Sequence, residues 1–151
     1  MRVITGIARG RKLVTLEGEE VVRPTTDRVK EAMFSIIQFD IPGKSVLDLF
    51  AGSGQLGIEA LSRGAEKAVF VDKSAEAFSV VKQNLKTCGL SDKATVINSD
   101  SFGFLRSTAE KFDIILIDPP YNRQMAETSL SLVDGVLKDG GIVMCETDYR
   151  E

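Results

Sequence analysis

VLDLFAGSGQLGIEAL, Val46 to Leu61, changes character in its middle. It opens as a short apolar run holding one carboxylate, Asp48, and closes as a helix with apolar residues on one face. Between the two lies Ala51-Gly52-Ser53-Gly54. Glycines at such a turn let the backbone pass close to a ligand, and the helix that follows starts with unpaired N–H groups. The stretch predicts a strand, a tight turn and a helix, with a binding site at the turn.

The same alternation continues outward. SVLDLF (45–50), KAVFVD (67–72), ATVINSD (94–100), FDIILID (112–118) and GGIVMCET (140–147) read as strands. Helices fall between them over 55–64, 74–89, 101–109 and 122–137. Strands that are apolar nearly throughout, alternating with helices, predict an α/β fold: a mostly parallel sheet with helices on both faces. Ligands bind such sheets at the carboxyl ends of the strands. Upstream, residues 1–22 alternate loosely around glycines and read as a β arm or hairpin. RPTTDRVKEAMFSIIQF follows as an amphipathic helix with Val29, Ala32, Met33, Ile36 and Ile37 on its apolar face, and Thr25 or Thr26 as cap. The expected organisation is an arm over 1–22 and one core domain over 23–151.

Composition removes several chemistries. Histidine is absent, so Ser-His and Cys-His nucleophiles and histidine metal sites are excluded; no metal site is expected. Cys88 and Cys145 are far apart, which fits a reducing cytoplasm rather than a disulfide scaffold. No apolar run approaches the roughly 20 residues of a membrane span, and no secretory leader is visible. The net charge is −3, yet residues 1–30 carry seven basic groups (Arg2, Arg9, Arg11, Lys12, Arg23, Arg28, Lys30) against four acidic ones. A basic arm on an acidic body can dock a polyanion.

The strand ends carry the chemistry. Gly52, Gly54 and Gly57 spell GxGxxG, a weak motif by itself and compatible with a nicotinamide cofactor. Asp72 ends the second strand about 20 residues on, where a carboxylate can accept both ribose hydroxyls. Asp100-Ser101 ends the third and could reach an adenine amino group, though a plain helix cap fits equally well. Together these describe a pocket for an adenosine-containing cofactor. Asp48 favours S-adenosylmethionine over a dinucleotide: its carboxylate suits an ammonium group and repels a pyrophosphate.

The fourth strand ends in Asp118-Pro119-Pro120-Tyr121. An exocyclic amine on a base is a poor nucleophile, because its lone pair is delocalised into the ring. Acceptors aimed at both N–H bonds would hold the nitrogen toward a methyl donor. Asp118 supplies a carboxylate, Pro119 a carbonyl whose direction the rigid Pro-Pro fixes, and Tyr121 a flat face for an extruded base.

With DPPY, VLDLFAGSGQLGIEAL resembles the Class I S-adenosylmethionine-dependent methyltransferases that act on amino groups. The fuller set, RGRKL (9–13), RPTTDRVKEAMF (23–34), LDLFAGSGQLGIEALSRGA (47–65), VFVDKS (69–74) and DPPY (118–121), is similar to the RsmD-type 16S rRNA guanine-N2 methyltransferases. That resemblance implies a Rossmann-like fold and methylation of a guanine N2 amino group in 16S rRNA of the small ribosomal subunit. It implies a cofactor pocket of Asp48, Ala51, Gly52, Ser53, Gly54, Asp72, Lys73, Asp100 and Ser101. Asp118, Pro119, Pro120 and Tyr121 would hold the guanine, and Arg9, Arg11, Lys12, Arg23, Thr25 and Arg28 would approach the RNA. A cytoplasmic monomer is expected. The family's chain continues into an antiparallel hairpin at one sheet edge; here the chain stops at Glu151, so the hairpin is expected to be missing. The competing expectations are a DNA adenine-N6 methyltransferase, a nicotinamide-dependent oxidoreductase and a non-catalytic RNA-binding or assembly factor.

Overall fold

A computed structural model describes residues 1–16, 27–119 and 123–146. After the N-terminal segment, the elements are α1 (Asp27–Ile37), β1 (Ser45–Leu49), α2 (Gln55–Ser62), β2 (Lys67–Asp72), α3 (Ala75–Cys88), β3 (Ala94–Asn98), α4 (Ser101–Ser107), β4 (Phe112–Ile117), α5 (Arg123–Leu132) and β5 (Leu137–Cys145). The five strands form one sheet in the order β3-β2-β1-β4-β5, and every pairing is parallel.

Side chains alternate across that sheet and divide the core in two. On one face Val46, Ala68, Phe70, Ile114 and Leu116 pack with Phe34 and Ile37 of α1, Ile58 and Leu61 of α2, and Val81 and Leu85 of α3. On the other face Leu47, Leu49, Val69, Val71, Ile115 and Ile117 pack with Phe104 and Leu105 of α4 and with Val133 and Val136. Burying each of these valine, leucine, isoleucine and phenylalanine side chains stabilises the fold by about 1.5–3 kcal/mol. The doubly covered parallel sheet expected from the apolar strands is therefore present.

Residues 1–16 fold back through one antiparallel bridge between Arg2 and Lys12. Val3, Ala8 and Leu13 of this segment join the α1–α2–α3 side of the core.

Three boundaries differ from the sequence expectation. β3 stops at Asn98 because Asp100 turns to cap α4. The helix expected to run to Leu137 ends at Leu132, with a 3₁₀ turn over Val133–Val136. β5 then begins at Leu137 but is irregular. Leu137 pairs with Phe112, the register breaks, and pairing resumes at Ile142 opposite Ile114. Gly140, at φ 76°, supplies the left-handed residue in that break.

The apolar face of α1 is also rotated from the expected one. Lys30, Phe34 and Ile37 are the buried positions, while Ala32 is exposed and Ile36 is 73% exposed. Counting only apolar residues misplaced the face, because a lysine occupies its centre.

Candidate active site at the carboxyl ends of β1 and β4

The strand order reverses between β1 and β4, the place where a parallel sheet opens a crevice. The β1–α2 turn lies on one side of it. Phe50 leaves β1 at φ 61°, a conformation costly for an aromatic residue, and its ring meets Phe102 edge-on at 5.8 Å. Gly52 and Gly54 follow at φ 58° and 82°. The Ala51 N–H donates to Val71 O (2.9 Å) and the Gly54 N–H to Ala51 O (2.8 Å), which close the turn. Asp48 is buried beneath it, and its Oδ2 accepts the Gly57 N–H at 2.9 Å. Ser53 is fully buried within the turn.

Asp72, half-buried at the end of β2, is tied to the same turn. Its Oδ2 accepts the Gly52 N–H and its Oδ1 the Ser74 N–H, both at 2.9 Å. Lys73 is exposed, and the Ser74 hydroxyl caps α3 by accepting from Ala77 N–H. Asp100 takes the capping role that the sequence left open: its Oδ2 accepts the Gly103 N–H at 2.9 Å. Ser101 beside it is buried.

Across the crevice, Asp118 follows β4 with 9% of its surface exposed, and Pro119 comes next. Pro120 and Tyr121 lie outside the described residues. The Glu146 N–H donates to Ile117 O (2.9 Å), which brings the end of β5 alongside Asp118. Cys145 shares this corner. Burial raises its thiol pKa, and the charges of Asp118 and Glu146 push the same way. Asp48, Asp72, Asp118 and Glu146 thus give the carboxyl edge a negative character, suited to a cationic ligand.

Of the residues expected at the RNA, Arg9, Arg11, Lys12 and Arg28 are exposed, whereas Arg23 and Thr25 lie outside the described residues. Lys30, counted with the basic arm, is corrected: it is fully buried, with Nζ 3.3 Å from Glu59 Oε1 and donating to Arg2 O at 2.9 Å.

Sequence reasoning missed the residues that fasten the arm. Glu59, fully buried on α2, accepts the Ile4 N–H (2.9 Å) and Thr5 N–H (3.0 Å) and pairs with Arg63 at 2.9 Å. The Ser62 hydroxyl accepts from Ala8 N–H (2.9 Å) and donates to Thr5 O (2.6 Å). Asn84 of α3 joins Val14 to Ser53. Gln55, the first residue of α2, was also missed; it is buried, and its Oε1 has no hydrogen-bond partner among the described residues. No spacing signals Lys30–Glu59. Asn84 could have been found, because it shares the buried stripe of Ala77, Val81 and Leu85.

Among the described residues no group of three or more His, Cys, Asp or Glu could hold a metal, and no helix is long and apolar enough to cross a membrane. The chain is 40% identical to the ribosomal RNA small subunit methyltransferase D of Haemophilus influenzae, over 98% of this chain and 79% of that protein. It is 36% identical to the protein of the same name from Escherichia coli K12, over 99% of this chain and 76% of that one. Among solved structures, the yhhF protein of Escherichia coli superposes with a TM-score of 0.86 at 37% identity, covering 99% of this chain and 82% of that chain. The family model described as Conserved hypothetical protein 95 matches residues 1–151, and the chain belongs to that family.

Proposed function

We propose that this chain transfers a methyl group from S-adenosylmethionine to the N2 amino group of a guanine in 16S rRNA of the small ribosomal subunit. One observation carries the reading. A buried carboxylate, Asp118, ends β4 directly across the strand-order reversal from the glycine turn of β1.

The turn suits an adenosine cofactor bearing a positive charge. Its glycines keep the backbone bare, Asp48 and Asp72 put carboxylates beside it, and the Gln55 Oε1 offers a buried acceptor. A pyrophosphate is disfavoured there, because Asp48 already occupies the Gly57 N–H and would repel it. That weighs against the nicotinamide alternative.

In this reading Asp48 balances the ammonium of the cofactor and Asp72 accepts from its ribose. Ala51, Gly52, Ser53 and Gly54 form the floor, and Lys73, Asp100 and Ser101 border the adenosine end. When bound, S-adenosylmethionine supplies a methyl group on a sulfonium leaving group. Asp118 and the Pro119 carbonyl accept from the two amine hydrogens, which aims the nitrogen lone pair outward; Pro120 fixes that carbonyl and Tyr121 stacks on the base. The amine then attacks in line and its spare proton leaves to water. Arg9, Arg11, Lys12, Arg23, Thr25 and Arg28 engage the RNA backbone. The protein works as a monomer in the cytoplasm.

The test is transfer of labelled methyl to small subunits lacking the modification, beside naked 16S rRNA and duplex DNA. The expected product is N2-methylguanine in the ribosomal sample. Label in duplex adenine, or no cofactor binding at all, would sink the reading.

A further inference from the structure

Asn84 is an anomaly on α3. It is fully buried on a stripe otherwise made of Ala77, Val81 and Leu85, where an apolar side chain would pack without needing partners. An asparagine inside a helix also competes with the helix's own backbone. Its amide is nonetheless fully employed. One Nδ2 hydrogen bonds to Val14 O at 2.9 Å and the other to Ser53 O at 2.9 Å, while Oδ1 accepts the Val14 N–H at 2.8 Å. Turning the amide over would break all three bonds, so its orientation is fixed.

These contacts connect two parts of the proposed site. Val14 lies two residues from Lys12, at the end of the exposed Arg9–Lys12 segment. Ser53 sits in the glycine turn between Gly52, held by Asp72, and Gly54. A Cβ at Gly54 would stand 3.2 Å from both Val81 methyls, so α3 backs the turn directly. Glu59, Ser62 and Lys30 also fasten the arm, but they grip it from α2 and α1 rather than at the turn itself.

We propose that Asn84 is a positioning residue that couples RNA docking on the basic arm to the cofactor turn, so that each ligand tightens the binding of the other. This rests on the reading of the arm and turn given above. Drawing the Arg9–Lys12 segment onto an RNA backbone fixes Val14, and Asn84 passes that constraint to the Ser53 carbonyl. A turn already ordered costs the cofactor less to engage. Coupling of this kind is reciprocal.

The experiment is equilibrium dialysis of labelled S-adenosylhomocysteine against the full chain, with and without saturating unmethylated small subunits. Subunits are expected to tighten binding several-fold in the unaltered protein. Asn84→Ala should bind the ligand alone within a few-fold of the unaltered protein, still bind subunits, and lose the tightening. A merely structural role would weaken both states equally. Equal tightening in both proteins overturns the proposal. So does an absence of tightening in the unaltered protein while subunits are bound, a result that needs no variant to fold. If the unaltered protein binds the ligand but no subunits, the reading of the arm fails first and takes this proposal with it.

Discussion

Asp48 and Gly57 are locked together. The Asp48 Oδ2 accepts the Gly57 N–H at 2.9 Å, and a Cβ on residue 57 would stand 3.1 Å from that same oxygen and 2.4 Å from the Phe70 ring. The third glycine of GxGxxG is thus required by packing between α2 and the sheet.

Gly57→Ala should therefore overpack a rigid spot and cost about 1–3 kcal/mol. Thermal unfolding would report this as a drop in midpoint of about 2–4 °C per kcal/mol for a chain of this size. An unchanged midpoint would mean that Phe70 can move aside.

Asp118→Ala should separate binding from chemistry. Loss of the acceptor lets the amine drift, and misplacement on the scale of 1 Å costs about 10²-fold in rate. Single-turnover methyl transfer would measure it, with S-adenosylhomocysteine affinity expected to change only a few-fold. Transfer at the unaltered rate would remove Asp118 from its assigned place.

Lys30→Met should destabilise more than any exposed basic substitution. It takes one of two cations from the fully buried Glu59 carboxylate while Arg63 stays at 2.9 Å, so the loss should fall below the about 3–5 kcal/mol of a buried pair broken outright. Denaturant unfolding would give the loss, and hydrogen exchange at Ile4 and Thr5 should speed up as Glu59 relaxes.

Asp113 gives a pH-dependent prediction. Bonds from the Ser45 backbone, opposed in part by burial, and then from the Ser45 hydroxyl and Lys138 hold its carboxyl below the ordinary 3.8. A depressed carboxyl stabilises the fold above its unfolded value, and that contribution fades as pH falls through the folded one. Asp113→Asn should cost under about 1 kcal/mol at neutral pH, because the side chain is 25% exposed and partly screened. Unfolding curves of the two proteins should converge as pH drops below 3.8. A gap that stays constant into acid would show that the charge contributes nothing.

The sheet was legible because its strands are short apolar runs, the first followed by the glycine turn and the next two by the caps Ser74 and Asp100. Asp48 was legible as a lone carboxylate inside such a run, and Asp72 and Asp118 as carboxylates closing one. Lys30 was not: a lysine inside an apolar stripe reads as solvated until its partner is known, and Glu59 lies far along the chain. Asp100 could be a cap or a ligand on sequence alone; the Gly103 N–H on its Oδ2 establishes the cap and leaves its other oxygen for the role proposed above. Asn84 stands out in the sequence as a polar residue on the stripe of Ala77, Val81 and Leu85, but its partners are backbone groups of Val14 and Ser53, which leave no trace in residue identity.

The arm's partners also set a timetable. Ile4 and Thr5 wait for Glu59, Ala8 for Ser62, and Val14 for Asn84, 70 positions later. Contacts so distant in sequence form slowly. During synthesis the arm leaves the ribosome before α2 and α3 and must remain undocked until they have followed it. The exposed basic residues of this segment, Arg9, Arg11 and Lys12, thus lack a scaffold at first and take up their places only when α2 and α3 have formed.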